Sequence, residues 1–302
     1  MRQSYHAGKQ LGSYRLLHPL GQSDHSVVYL GEYLHSRRQV AIKLLAGQRT
    51  EQEGAKFLAQ GSALTLLRHP HIVPVLDYGI HEDTAFLVMT YAPNGTLRQR
   101  HPKGSLVPLT TVVSYVNQVA SALEYIHQRF LVHRDIKPHN MLLGTNNEVM
   151  LSDFGIAVVS HSIDPAQPNE YDFEGTAPYA APEQLQGQPR RGSDQYALGV
   201  VVYEWLSGDW PFSGTFDEVT HQHMFVQPPS LRMKGLAVSL EVEQVMMKAL
   251  AKKPERRFAS IMEFAYALAE ASKTTGMEDP LQERGQLPLK RQFLSPLPFP
   301  GE

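Results

Sequence analysis

Cysteine is absent from all 302 residues. That removes disulfides, thiolate nucleophiles and Cys-ligated zinc in one step, and it suits a reducing compartment. An excess of charge of either sign is missing too: 28 Lys plus Arg stand against 30 Asp plus Glu, a net charge of -2. From that balance no electrostatic footprint for nucleic acid or an anionic membrane is expected. The apolar run Ala197 to Tyr203 is far short of a bilayer span. Met1 to Ser13 is polar and lacks the apolar segment of a secretory leader. A cytoplasmic chain with no transmembrane segment is the expectation. What is plentiful is apolar residue, 42% of the total, enough to fill one large domain or two closely packed lobes.

The order of patterns points to two lobes of different character. Tyr14–Leu17, Ser26–Gly31, Arg38–Leu44, Ile72–Leu76 and Ala85–Met89 are short, β-branched and bounded by Gly or polar residues, as strands are. Pro74 suits an edge or an irregular strand. One helix, Glu53 to Leu67, is predicted among them from Phe57, Leu58, Leu64 and Leu67 at helical spacing. After Asn94-Gly95 the period changes to that of helices. Thr111 to Phe130 carries a stripe of Val112, Val116, Val119, Ala120, Leu123, Ile126 and Phe130. Ser193–Ser207, Leu240–Leu250 and Ile261–Ala271 follow the same rule, while Val132 to Ser152 reads as loops with short strands. Beyond Lys273 the chain turns Pro-rich and polar, outside any expected core. The expected class is therefore α+β. Residues 1–13 read as an extension, 14–270 as the domain with a β-rich lobe to about 92 and a helical lobe from about 93, and 271–302 as a tail.

Chemistry concentrates in two short segments. Phosphoryl transfer needs phosphates positioned, their charge neutralised by metal, and an acceptor hydroxyl oriented. His133-Arg134-Asp135-Ile136-Lys137-Pro138-His139-Asn140 offers a carboxylate to accept the hydroxyl proton (Asp135), a cation for the moving phosphoryl group (Lys137) and an amide oxygen for magnesium (Asn140). Asp153-Phe154-Gly155 adds a second magnesium ligand in Asp153. One carboxylate and one amide, completed by phosphates and water, form a hard oxygen site that suits Mg2+.

In these motifs the chain resembles the protein kinase superfamily, and among its members the eukaryotic-like serine/threonine kinases of bacteria. Val40-Ala41-Ile42-Lys43 is similar to the strand whose Lys grips the ATP phosphates. Ala181-Pro182-Glu183 is similar to the end of the activation segment. Asp194 falls where the family braces the catalytic loop, and Arg257 where it pairs with Glu183. The resemblance implies a bilobal kinase fold and ATP with magnesium as cofactors. A protein substrate with a Ser or Thr acceptor is implied too, and room for a dimer that autophosphorylates. It also implies a nucleotide site of Leu20, Gly21, Gln22, Ser23, Val28, Ala41, Lys43, Met89, Thr90, Ala92, Leu142 and Asp153, with Met89 as gatekeeper and Thr90 to Ala92 as hinge. Asp135, Lys137, Asn140 and Lys43 would be the catalytic set. Thr176, by the same resemblance, would contact Asp135 and Lys137.

Two departures bear on activity. The phosphate-covering loop, Gly-x-Gly-x-x-Gly in the family, here reads Gly21-Gln22-Ser23-Asp24-His25-Ser26 and keeps one glycine. Backbone amides must approach phosphate closely there, often at positive φ, so weaker ATP binding is expected. The helix Glu that pairs with the strand Lys is Gln60 here, able to accept a hydrogen bond from Lys43 but without charge. Glu53 lies seven residues earlier, about 10 Å along a helix, and cannot substitute. The alternative function is therefore a weakly active or pseudokinase scaffold that binds nucleotide. Before Gly175-Thr176, Glu170 or Asp172 could offer Arg134 a constant negative charge, and Ser160, Ser162 and Thr176 are candidate phosphorylation sites. His221 and His223, like His69 and His71, have no evident third partner for a metal.

Overall fold

The computed structural model describes residues 7–23, 26–47, 50–154, 177–236 and 238–274. Strand periodicity builds the first lobe. β1 (Gln10–Leu11), β2 (Tyr14–Ser23), β3 (Ser26–Tyr33), β4 (Gln39–Leu45), β5 (Val75–His81) and β6 (Thr84–Thr90) form one antiparallel sheet in the order β1-β2-β3-β4-β6-β5. Side chains alternate faces along a strand. Val40, Ile42 and Leu44 of β4 accordingly join Leu11, Tyr14, Leu16, Tyr29 and Val88 in one apolar cluster. Ala41 and Leu45, of the other parity, join the main core with Leu87 and Met89. Lys43 shares their face. Leu11, fully buried, ties the first described residues onto the sheet.

Helix α1 (Glu51–Leu64) starts two residues before the predicted Glu53, because Thr50 and Glu53 make a capping box. Its buried face is Gly54, Phe57, Gly61 and Leu64, whereas Leu58, expected in the stripe, is 40% exposed. At Gly61 a Cβ would fall 2.5 Å from Tyr78 Cδ2, so the helix lies close against β5 only because the side chain is missing. The strand expected at Ile72–Leu76 is displaced to β5. Residues 71–73 instead bond the other lobe, with Val73 N donating to Leu151 O at 2.8 Å and Leu151 N to His71 O at 3.0 Å. Pro74 has no N–H for a sheet ladder; its carbonyl accepts from Thr90 N at 3.0 Å.

The second lobe is helical: α2 (Leu97–Arg100), α3 (Leu109–His127), α4 (Pro182–Leu185), α5 (Arg191–Ser207), α6 (Phe216–Phe225), α7 (Leu240–Ala249) and α8 (Ile261–Thr274), with a hairpin of β7 (Met141–Leu143) and β8 (Val149–Leu151). The stripe predicted on α3 is buried at Val112, Val116, Val119, Ala120, Leu123 and Ile126, but Phe130 lies beyond the helix end and is 86% exposed. Residues Ser193 to Leu206 of α5 are buried on every side, and α3 and α7 pack on that helix. Helix α6 was not among the predicted elements, although Thr215 and Glu218 make another capping box. No helix among the described residues is long and apolar enough to cross a membrane.

Lys252, just after α7, is half-buried without a carboxylate partner among the described residues. Its Nζ donates to Gln222 O at 3.1 Å and lies 4.4 Å from the Phe212 ring centroid. Burial, aided by the Arg257 charge, pushes its pKa down to about 7. In the unfolded chain the same ammonium holds its proton to about pH 10.4. Between those values the unfolded state binds more protons, so stability rises with pH through that window. Lys252→Met is expected to flatten this rise, read as melting temperature from pH 7 to pH 10 for both proteins. Parallel profiles would refute the assignment.

Candidate active site

The segment from His133 to Asn140, between α3 and β7, is irregular backbone held by side chains. Arg134 sits at φ +70° and Asp153 at φ +63°, left-handed conformations that a non-glycine residue adopts only when its surroundings hold it there. The clamp on the first is Asp194 of α5, whose carboxylate accepts from His133 N at 2.9 Å, Arg134 N at 2.8 Å and the His127 ring at 2.8 Å. Gln184 Nε2 donates to Arg134 O at 2.7 Å from the other side. His133, fully buried, joins the two segments. One ring nitrogen donates to Ser152 O at 2.9 Å, the other accepts from Asp135 N at 3.3 Å, and its ring packs 4.7 Å from that of Phe154. His127 carries no motif in the sequence that would mark it as part of this clamp.

These clamps bring polar side chains from three stretches together. Asp135 Oδ1 lies 2.9 Å from Lys137 Nζ, and Asp135 Oδ2 accepts from Asn140 Nδ2 at 2.8 Å. Lys43 reaches across from the sheet and donates to Asp153 Oδ1 at 2.5 Å. Burial opposes ionisation of Asp153, but the Lys43 ammonium, helped by Lys137, outweighs it and holds the carboxyl below the usual carboxylate range. Lys43 thus meets Asp153 and not Gln60, whose buried Oε1 has no hydrogen-bond partner. A full carboxylate charge attracts the ammonium more strongly than an amide oxygen does.

The residues that the resemblance assigns to a nucleotide site line up through strand register. Val28 stands opposite Lys43, and Ala41 opposite Met89, so these four share one face of the sheet. Ala41, Met89 and Ala92 are buried, Val28, Thr90 and Leu142 half-buried, and Leu20 is 42% exposed. The β2–β3 hairpin stays paired through Gly21 opposite Val28 and Gln22 opposite Val27 to Ser23 opposite Ser26. There the Ser23 and Ser26 hydroxyls bond each other at 3.0 Å, closing the end that glycines would leave open. Asp24, Ser160, Ser162, Glu170, Asp172, Gly175 and Thr176 lie outside the described residues. Arg134 Nε is buried with no partner.

The donor set fits magnesium with phosphate better than a metal alone. Asn140 directs its amide hydrogens to Asp135 O and Oδ2, both at 2.8 Å, which leaves its oxygen free of that task. Among the described residues no three His, Asp or Glu side chains gather to cage a metal. A site of one amide and one carboxylate therefore needs oxygens from a ligand to fill a magnesium shell.

A model of the protein kinase domain matches residues 14–267. The chain is 37% identical to the serine/threonine-protein kinase Pkn1 of Myxococcus xanthus over 87% of its own length and 39% of that protein. It is 33% identical to PrkC of Bacillus subtilis over 83% of its length and 39% of that protein, and 33% identical to PknF of Mycobacterium tuberculosis over 93% and 60%. Both are also serine/threonine-protein kinases by name. The chain thus spans from 39% to 60% of the length of these relatives.

Proposed function

The chain belongs to the protein kinase family, and from that premise we propose that it transfers the γ-phosphate of ATP to a serine or threonine hydroxyl of a protein. The observation that carries the reading is the convergence of Asp135, Lys137 and Asn140 with the Lys43–Asp153 pair. In this reading Asp135 takes the proton of the acceptor hydroxyl, because its carboxylate is fixed by Asn140 and lies next to the Lys137 ammonium. Lys137 meets the negative charge of the group in transfer. Lys43 orients the α- and β-phosphates, and ATP binds over Ala41 and Val28 beneath the β2–β3 hairpin. Asn140 and Asp153 would hold magnesium, which when bound neutralises phosphate charge. Domain limits of about 14–270, with the lobes meeting near residue 92, accompany the proposal.

Incubation with labelled ATP and magnesium, read as label on the chain itself and on an oriented serine/threonine peptide library, tests it. Absence of label under both conditions would overturn the catalytic reading. The unpartnered Gln60 oxygen and the Ser23–Ser26 clip favour a second reading, a scaffold that binds nucleotide and transfers little. Magnesium-dependent stabilisation by ATP without label transfer is its signature.

Gln60 also sets how fast the enzyme runs. Gln60→Glu is expected to raise kcat/KM for ATP roughly tenfold, the size of one added charge-assisted hydrogen bond to Lys43. Such a carboxylate draws Lys43 away from Asp153 and frees the aspartate for metal. An unchanged kcat/KM in steady-state kinetics would show that Gln60 does not face Lys43 in the working state.

A further inference from the structure

Beside the catalytic segment lies a polar cluster that the transfer chemistry does not use. Glu204 of α5 is 2% exposed, and its Oε1 and Oε2 lie 2.7 Å and 3.0 Å from Arg98 Nη2. Tyr179 donates its phenol hydrogen to Glu204 Oε2 at 2.6 Å and accepts from Arg98 Nη2 at 2.6 Å. Trp210 Nε1 donates to the same phenol oxygen at 3.0 Å, with its ring edge-on to that of Tyr179. A carboxylate, a phenol oxygen and an aromatic wall are together the surfaces that recognise one guanidinium.

The guanidinium present is the chain's own. Arg98 comes from the one-turn helix α2, and its Nε is buried without a partner, so the fork is only partly matched by its surroundings. Helix α2 packs on the turn Pro138–Asn140, which places the cluster next to the segment that carries Asp135 and Lys137. His139, exposed on that turn, feels the charges of Arg98 and Glu204 as well as those of Lys137 and Asp135.

We infer that Arg98 occupies, from within the chain, a guanidinium site beside the catalytic segment, and so removes selection for arginine next to the acceptor residue. This rests on the kinase reading proposed above. With Arg98 in place, Glu204 is already paired and offers a peptide arginine nothing to bind. With Arg98 truncated, the carboxylate, phenol and indole are left as an open site of the same chemistry. Arg98 is then a specificity-determining residue, and Glu204 its latent partner.

The test is an oriented peptide library with a central serine or threonine and arginine fixed at each flanking position in turn. The wild-type protein is expected to show no enrichment for arginine at any position. Arg98→Ala is expected to enrich it about tenfold at one or more positions, the effect of one charge-assisted pair, and Arg98→Ala/Glu204→Gln to lose that gain. A second readout needs no turnover: millimolar methylguanidinium is expected to raise the melting temperature of Arg98→Ala but not of the double variant. If Arg98→Ala does not fold, Arg98→Lys replaces it, with a smaller gain expected because an ammonium fills the fork poorly. A wild-type preference for arginine overturns the inference whatever the variants do. So does wild-type selectivity in the folded variant, or a methylguanidinium shift equal in the single and double variants. If the wild type phosphorylates no peptide, the kinase reading fails, and the melting experiment still decides whether the guanidinium site exists.

Discussion

Asp135→Asn is expected to lower label transfer by about 10²- to 10⁴-fold, the contribution of a positioned general base, while the fold stays intact. The substitution keeps the size and one oxygen of the side chain. The bond from Asn140 Nδ2, 2.8 Å in the wild type, can therefore survive on the remaining oxygen, and the backbone carbonyl that Asn140 also holds is untouched. What disappears is the negative charge. Lys137, whose Nζ lies 2.9 Å from Asp135 Oδ1, loses its counterion, and the acceptor hydroxyl loses the group that would take its proton. The clamp on Arg134 comes from Asp194 and Gln184, not from Asp135, so the loop geometry is not expected to change. Single-turnover transfer of labelled phosphate, beside a melting curve, separates the two effects. Transfer within about threefold of wild type by a folded variant would contradict the proposed role, because no general base contributes so little.

The residues around Asp135 were legible in the sequence because their contacts are local. Asp135, Lys137 and Asn140 lie within one short segment, and a fixed loop geometry brings side chains of such spacing together. Strand periodicity was equally legible: it placed Ala41, Ile42 and Lys43 within one strand, Arg38–Leu44. The β-rich and helical lobes follow from the same switch of period. Contacts between distant residues without a motif were not legible. Arg98 and Glu204 are 106 positions apart, His127 and Asp194 are 67 apart, and nothing in the local pattern of either pair marks the other. Apolar spacing points to Leu58 on the buried face of α1, but Gly54 and Gly61, which add no side chain to a hydrophobic stripe, occupy that face and Leu58 is exposed. Helix α6 and the first turn of α1 had a signal, Thr-x-x-Glu at Thr215 and Thr50, but polar first turns hide a helix from a search based on apolar spacing. Lys43 is the instructive case. Its strand was foreseen, but its partner was not, since choosing between Gln60 and Asp153 depends on where a carboxylate from the other lobe arrives.

Arg257→Ala is expected to cost the largest share of stability of any substitution considered, about 3–5 kcal/mol. The Arg257 side chain is fully buried and forks onto Glu183, with Nη1 2.7 Å from Oε1 and Nη2 2.8 Å from Oε2. The same guanidinium donates to Gly192 O at 2.8 Å, Ala251 O at 2.8 Å and Lys252 O at 3.0 Å. One side chain therefore joins α4, the start of α5 and the turn after α7. Its removal leaves a buried carboxylate held only by Ser193 Oγ and its own helix start, strips those carbonyls of a donor, and opens a void. Burial alone would raise the Glu183 pKa, but the bonds from Arg257 and Ser193 outweigh it and hold the carboxyl below its usual value. Its contribution is thus present above the unfolded carboxylate pKa and is lost as pH falls through the lower folded one. Without Arg257 that order reverses, and acid stabilises the variant relative to wild type. At neutral pH the melting temperature should fall by roughly 10 °C. Replacing both partners, Glu183→Met with Arg257→Met, should recover much of the loss, because an apolar pair leaves no uncompensated charge. If Arg257→Ala melts within about 2 °C of wild type, a span below 1 kcal/mol for a chain of this size, the buried pair does not hold these helices together. If instead the single variant is strongly destabilised and the apolar double variant is not, the cost lies in the stranded carboxylate of Glu183. The end of the 177–185 segment then keeps its place against α5 through packing, and the ion pair serves to make that one arrangement the only affordable home for a buried charge.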